Sequence, residues 1–291
     1  MPDPETQAAK PESVGSPDPA QLFPFPLDDF QLDAIDALNQ GHSVVVSAPT
    51  GSGKTLIGEY AIHRAMAHGQ KVFYTTPLKA LSNQKLRDFR EQFGVENVGL
   101  MTGDLSVNRD ASIVVMTTEI FRNMLYAEAD EHDDPLADVE AVVLDECHYM
   151  NDSQRGTVWE ESIIHCPPVV QLVALSATVA NAGQLTDWIE RVHGPTRLVL
   201  SDFRPVPLQF SFCSAKGLHP LLNDEGTGLH PNCKVWRAPK GHKRKGRSPR
   251  PPQPEPPPIS FVVAQMAERD MLPAIYFIFS RRGCDKAVRD L

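Results

Sequence analysis

From Leu22 to about Phe212, short β-branched runs alternate with longer amphipathic stretches. The runs are His42–Ser47, Lys71–Thr75, Ile113–Met116, Ala141–Leu144, Gln171–Leu175 and Arg197–Leu200. Each is nearly continuous in apolar side chains, the pattern of a strand covered on both faces. Between them, Leu56–Ala67 and Leu78–Phe93 carry helical spacing. This alternation predicts an α/β domain: a mostly parallel sheet with helices on both faces. Such sheets bind ligands at the carboxyl ends of their strands.

The pattern lapses on both sides. Residues 1–21 are rich in Pro, Asp, Glu and Ser and read as a disordered tail. Residues 213–271 read as a basic, proline-rich and largely disordered linker or insertion, densest at 237–258 (RAPKGHKRKGRSPRPPQPEPPP). Its KGHKRKGR run suits a nucleic-acid contact and a solvated loop equally well. Residues 272–291 open a new unit, with Ala274–Phe279 as a buried strand followed by a helix. One strand and one helix cannot bury their own faces, so this unit is expected to be truncated, with apolar edges exposed.

Composition narrows the classes. Of 291 residues, 41% are hydrophobic and 22% charged, enough to bury a real core. No apolar run nears the about 20 residues of a membrane span, and the N-terminus has no basic start or apolar stretch of a secretory signal. No membrane partner is expected. The five cysteines are scattered without a CxxC pair. No zinc site is expected, and reduced thiols in the cytoplasm are the simple reading. The net charge of −9 weighs against a basic nucleic-acid footprint, although net charge does not exclude a local groove.

The chemistry begins directly after the first run. Ala48, Pro49, Thr50, Gly51, Ser52, Gly53, Lys54 and Thr55 follow a strand and open a helix, the setting of a phosphate-binding P-loop. Glycines let backbone N–H groups turn toward phosphate, Lys54 neutralises the β- and γ-phosphates, and the Thr55 hydroxyl ligates Mg²⁺. The first position is Ala48 where the strict pattern has glycine. About 90 residues later, Ala141–Leu144 runs into Asp145 and Glu146. Asp145 takes the metal-holding role of an acidic strand end, and Glu146 that of general base toward water. ATP and Mg²⁺ are the expected cofactors, with Lys54, Asp145 and Glu146 carrying hydrolysis.

Further segments resemble one family. Phe25–Gln31 is similar to the opening segment of superfamily-two helicases, Thr76–Leu81 (TPLKAL) to motif Ia, Thr102-Gly103-Asp104 to motif Ic, and Val115–Leu125 (VMTTEIFRNML) to motif Ib. Ser176-Ala177-Thr178 matches motif III, and Pro273–Arg282 resembles motif IV of a second RecA-like domain. Together with DECHYMNDSQRGTVWEE they resemble the superkiller-type, exosome-assisting DExH-box RNA helicases over roughly residues 22–212 and 272–291. The resemblance implies a RecA-like P-loop domain over 22–212 and ATP-driven 3′-to-5′ translocation on single-stranded or partly duplex RNA. It also implies a link to RNA-degradation machinery. By position, Gln31 would contact adenine. Thr76, Pro77, Lys79, Thr102, Gly103, Thr117, Thr118 and Arg122 would line the strand-binding face, touching phosphates without reading bases. His148, Ser176, Ala177 and Thr178 would couple hydrolysis to movement.

The chain departs from the family at three places. Cys147 stands where valine is usual, residues 216–258 match no family segment, and motifs V and VI, the latter carrying the family's arginine finger, are not found. Two other readings remain beside the RNA helicase. One is an ATP- and RNA-binding module with little turnover. The other is a DNA-directed helicase of the same superfamily, since phosphate-facing motifs do not read the 2′-hydroxyl. An unrelated P-loop kinase fails on motif III and the DECH box.

Overall fold

The computed structural model describes residues 15–126, 134–152, 155–233 and 256–290. Residues 1–14 of the expected tail and the dense basic and proline-rich stretch 234–255 lie outside the described residues, as do Ser153 and Gln154. The chain divides into two compact units between Val206 and Pro207.

The first unit contains helices α1 (Pro19–Leu22), α2 (Asp29–Asn39), α3 (Thr55–Ala67), α4 (Lys79–Phe93), α5 (Thr118–Tyr126), α6 (Gly156–His165) and α7 (Ala182–Val192). Its strands are β1 (Ser43–Ser47), β2 (Lys71–Thr76), β3 (Val98–Thr102), β4 (Leu105–Val107), β5 (Ile113–Thr117), β6 (Val139–Leu144), β7 (Gln171–Ser176) and β8 (Thr196–Leu200). They form one sheet in the order β4-β3-β5-β2-β6-β7-β1-β8, parallel throughout except for the edge strand β4. This is the α/β, RecA-like arrangement, and all six apolar runs of the sequence lie in it.

The continuous runs are explained by the two faces. Val44, Val46, Val72, Tyr74, Val115, Val143, Val173 and Leu175 face one core, shared with Ile35 and Leu38 of α2, Ile57, Tyr60 and Ile62 of α3, and Phe89 of α4. The alternate residues Val45, Phe73, Val114, Met116, Val142, Leu144, Leu172 and Ala174 face a second core with Phe121 of α5, Trp159 and Ile163 of α6, and Ile189 of α7. Each fully buried aliphatic chain contributes about 1.5–3 kcal/mol relative to exposure, so both layers are held mainly by burial. Gly58 brings α3 close to the sheet, since a β-carbon there would stand 3.1 Å from the Tyr74 ring and 3.3 Å from Val143.

In the second unit, described residues within 213–271 form regular elements where a largely disordered segment is expected. Strands β9 (Ser211–Ser214) and β10 (Gly217–Pro220) form an antiparallel hairpin in which Cys213 faces Leu218. Helix α8 (Ile259–Ala267) lies against it, and Gln265 Oε1 accepts from the Leu218 N–H at 3.4 Å. The hairpin turns on Ala215-Lys216, a pair without the Asn-Gly or Asp-Gly signature that marks tight hairpins in sequence. Helix α9 (Arg281–Asp290) follows. The buried strand expected at Ala274–Phe279 is not formed. That segment joins no ladder among the described residues, and Ile275 and Phe277 are 83% and 77% exposed. A strand is defined by its partner, and none lies alongside among the described residues.

Candidate nucleotide site and strand-binding edge

Because β1 to β3 and β5 to β8 are parallel, their carboxyl ends share one edge, and nearly every candidate residue sits there. Strands β3, β5 and β2 end in Thr102, Thr117 and Thr76, and β6, β7 and β1 end beside Asp145, in Ser176 and in Ser47. The strand order therefore sets the candidate nucleic-acid motifs directly beside the candidate nucleotide motifs.

The P-loop leaves β1 with the Ala48 N–H bonded to the Ser176 carbonyl at 3.2 Å. Gly51 and Gly53 adopt φ of +85° and +84°, a left-handed geometry that only glycine takes without strain. The turn closes through the Ser52 N–H on the Pro49 carbonyl at 3.2 Å. Lys54 Nζ donates to the Ala48 and Pro49 carbonyls at 2.8 and 3.0 Å. Burial pushes its ammonium below the usual lysine value, while Glu146 and Asp145 act in the opposite sense. Among the described residues Ser52 Oγ is buried with no hydrogen-bond partner, a polar atom within a loop suited to phosphate oxygens. Gln31 lies against this loop: its Nε2 donates to the Gly53 carbonyl at 3.1 Å and its Oε1 accepts from the Asp28 N–H at 2.9 Å.

Opposite the loop, β6 delivers Asp145, whose N–H bonds the Thr75 carbonyl at 3.0 Å. Its Oδ1 accepts from the Glu146 N–H at 2.9 Å, and its Oδ2 from the Tyr74 hydroxyl at 2.9 Å. Glu146 itself is left-handed, at φ 52°. This turns the chain into a short 3-10 helix, Cys147–Asn151. His148 Nδ1 lies 3.3 Å from Glu146 Oε2 and 3.3 Å from the Ala177 N–H. One nitrogen cannot serve both: neutral with a lone pair it accepts from Ala177, and protonated it donates to Glu146. Motif III is tied to the P-loop strand as well, since Val179 N–H donates to Ser47 Oγ at 3.3 Å. Ser176 Oγ donates to the Ala177 carbonyl at 2.8 Å, and Thr178 follows between these contacts. Thr55 Oγ1, at the head of α3, has Lys85 Nζ of α4 at 3.5 Å.

The candidate strand-binding residues divide by exposure. Thr76, Pro77, Thr102 and Thr118 are buried, Thr117 and Arg122 half-buried, and Lys79 and Gly103 exposed. The buried hydroxyls brace the loops. Thr76 Oγ1 shares a hydrogen bond with Ser82 Oγ at 2.7 Å, Thr118 Oγ1 donates to the Thr76 carbonyl at 3.2 Å, and Thr102 Oγ1 donates to Asp104 at 3.1 Å. Asp104 also receives Lys79 Nζ at 2.7 Å, and that hydrogen bond lowers its carboxyl below the usual range. Arg122 bonds Asn123 Oδ1 at 2.8 Å and Glu161 at 3.4 Å. The Thr76 and Thr118 hydroxyls are therefore engaged inside the domain.

Sequence reasoning missed Tyr74, Lys85, Glu119 and Arg155. Tyr74 reads as one more apolar residue of its run. Arg155 reads as a stray charge ahead of α6, yet its guanidinium donates to the Pro77 carbonyl at 2.6 Å and pairs with Glu119.

Known proteins match along the same stretch. The model of the DEAD/DEAH box helicase family covers residues 28–185. The chain is 45% identical over 311 aligned positions to the DExH-box ATP-dependent RNA helicase DExH15, chloroplastic, of Arabidopsis thaliana, covering 92% of this chain and 26% of that protein. It is 48% identical to the antiviral helicase SKI2 of Saccharomyces cerevisiae, over 74% of this chain and 17% of that protein. It is 42% identical to the exosome RNA helicase MTR4 of Mus musculus, over 91% and 26%. The chain thus spans about a quarter or less of these relatives' length. Among solved structures, the DUF1998 helicase MrfA bound to DNA and AMPPNP superposes with a TM-score of 0.51 at 22% identity, over 62% of this chain and 27% of that one, a likeness of fold. With the P-loop, the acidic end of β6 and motif III on one sheet edge, and a family model over more than half its length, the chain belongs to the DEAD/DEAH box helicase family.

Proposed function

We propose that this chain is the nucleotide-binding portion of an ATP-dependent RNA helicase that moves 3′-to-5′ on single-stranded or partly duplex RNA. The observation that carries the reading is the strand order, which puts the ends of β3, β5 and β2 beside those of β6, β7 and β1. A shift at one set of loops is felt at the other across a single strand spacing.

The N–H groups of Gly51 to Lys54 and the Ser52 hydroxyl would hold phosphate oxygens, with Lys54 released from its two carbonyls to neutralise them. Thr55 and Asp145 would hold Mg²⁺, and Gln31 would reach adenine from its place beside Gly53. Bound Mg²⁺ supplies charge neutralisation of the phosphates. Glu146 orients the attacking water, and His148, Ser176, Ala177 and Thr178 report the state of the site along the edge. On the other half, Lys79, Gly103, Thr117, Arg122 and the backbone N–H groups of Thr76, Thr102 and Thr118 would meet RNA phosphates, with Pro77 lining the face between them. RNA is preferred because the Arabidopsis and mouse relatives are named as RNA helicases. The mouse protein's name also motivates RNA-degradation machinery as the setting. The five free thiols suit the cytoplasm.

The test is steady-state ATP turnover by the chain at low salt, with single-stranded RNA or DNA added in parallel and Glu146→Gln as control. Low salt matters because phosphate contacts weaken steeply as salt rises. Turnover raised by RNA, not by DNA, and abolished by Glu146→Gln supports the reading. Equal stimulation by DNA makes the enzyme indifferent to the sugar. Binding of ATP and RNA without turnover reduces the chain to a binding module.

A further inference from the structure

We infer that Arg155 is a positioning residue that fastens both strand-binding loops to the turn following the DECH box. The inference rests on the strand-binding reading of those loops. Arg155 lies between the 3-10 helix Cys147–Asn151 and α6. One guanidinium nitrogen donates to the Pro77 carbonyl at 2.6 Å, within motif Ia, and also to the Glu119 carboxylate, at the head of α5 in motif Ib. The preceding carbonyl, that of Thr76, receives Thr118 Oγ1 at 3.2 Å. Two consecutive carbonyls of motif Ia are thus claimed by groups from α5 and from the turn after the DECH box.

Arg155 and Gly156 are tied back to Asp152, at the end of the 3-10 helix. The Arg155 N–H donates to Asp152 Oδ1 at 3.1 Å, and the Gly156 N–H to the Asp152 carbonyl at 2.8 Å. A β-carbon on Gly156 would stand 2.2 Å from the Met150 carbonyl oxygen, so the backbone here approaches more closely than any other residue allows. Tyr149 of the 3-10 helix stacks on Trp159 of α6 at 6.1 Å and 22°. A displacement of the DECH turn is therefore carried to Arg155, and from Arg155 to Pro77 and Glu119 together.

A guanidinium suits the task because the two N–H groups of one terminal nitrogen lie in a fixed plane and meet two acceptors at set angles, whereas a lysine ammonium is a point charge on a flexible stem. The pair is about one-third exposed on each side, and ion pairs so placed contribute little to global stability. The expected effect of removing it is on loop geometry and not on folding.

The experiment compares wild type, Arg155→Ala, Arg155→Lys and Glu119→Gln in the full chain. Three quantities are measured: thermal melting, amide hydrogen exchange, and affinity for a fluorescein-labelled oligouridine by anisotropy at low salt. Arg155→Ala is expected to speed exchange at the first turns of α4 and α5 at least tenfold, with the β2 and β6 amides unchanged, and to weaken oligouridine binding about tenfold. Arg155→Lys restores part of both, and Glu119→Gln reproduces the α5 effect alone. Unchanged exchange at α4 and α5 in Arg155→Ala overturns the inference, whether or not RNA binds. Faster exchange with unchanged affinity overturns the functional half. If wild type binds no oligouridine, the strand-binding reading fails, and the exchange comparison still decides whether Arg155 positions the loops.

Discussion

The Tyr74 hydroxyl donates to Oδ2 of Asp145 at 2.9 Å from the next strand of the sheet. Tyr74 faces Val143 in the β2–β6 register, two residues before Asp145, so its hydroxyl reaches the carboxylate from the neighbouring strand. Burial first, and Asp145 second, hold the phenol well above its usual ionisation range. The hydroxyl is thereby kept in its protonated, donating form. Above the ring, Lys85 Nζ lies 5.3 Å from the centroid. The proposed metal-holding carboxylate is thus aimed by a side chain that would never touch the metal.

Tyr74→Phe conserves shape and deletes only that donor. A hydrogen bond to a charged acceptor contributes about 1.5–3 kcal/mol, and partners behind metal ligands typically change metal affinity by about 10–100-fold. The expected outcome is a folded protein, somewhat less stable, whose nucleotide binding requires about tenfold more Mg²⁺. Titration of Mg²⁺ against a fluorescent ATP analogue reads this directly. An unchanged Mg²⁺ midpoint would show that Asp145 keeps its orientation unaided.

What the sequence disclosed and what it withheld follow from range. The P-loop is legible because Gly51, Gly53, Lys54 and Thr55 do their work within a few residues of one another. Strands β1, β2, β5, β6 and β7 are legible because burial on both faces leaves unbroken apolar runs, and the edge strand β8 because Leu198, Val199 and Leu200 are apolar even where exposed. Strand β3 escaped because Gly99 interrupts it, a residue required where a β-carbon would stand 2.0 Å from the Asn108 carbonyl oxygen. Strand β4 escaped because Leu105 and Ser106 are exposed. Ala274–Phe279 carries a strand's composition, but no strand among the described residues pairs with it. Tyr74 finds Asp145 71 positions away, and Arg155 finds Pro77 at 78, so no local pattern announces either.

Acid is expected to weaken the first unit. His193 is buried with Nε2 2.9 Å from the Val170 carbonyl and Nδ1 3.3 Å from the Cys166 carbonyl. Burial lowers its pKa below 6.5, and the two carbonyls only partly offset this. His63, between Phe23 and Phe93, is lowered by burial too. Each is more easily protonated unfolded than folded, so their contribution is full above the unfolded pKa and declines as pH falls through it. Melting temperature should drop between pH 7.5 and 5.5, and His193→Gln with His63→Phe should flatten that slope. A slope unchanged in the double variant would assign the acid loss to other groups.

Cys147 should behave as a small apolar residue and not as a reactive thiol. It is fully buried, and burial pushes its thiol up to about 12, as it does for Cys166. At pH 8 only about one such thiol in ten thousand is ionised, and the thiolate is the reactive form. Ellman's reagent should modify exposed Cys284 first and reach Cys147 and Cys166 only on unfolding. Cys147→Val, which substitutes the residue usual in the family, should change stability by less than about 1.5 kcal/mol. Rapid labelling of Cys147 in the folded chain would contradict its burial.

Two glycines at the heads of helices should respond to alanine in opposite directions. Alanine favours helix over glycine by about 0.5–1 kcal/mol, and at Gly183 of α7 nothing lies within 4 Å of an added β-carbon. Gly183→Ala should therefore stabilise by about 0.4–1 kcal/mol. At Gly156 of α6 the same methyl would stand 2.2 Å from the Met150 carbonyl oxygen. That obstacle is backbone, which cannot rotate aside, and overpacking of this kind costs about 1–3 kcal/mol, more than propensity returns. Gly156→Ala should lower stability in urea unfolding and displace the turn that carries Arg155. If both variants were stabilised alike, the close approach of Gly156 to Met150 would not exist in solution.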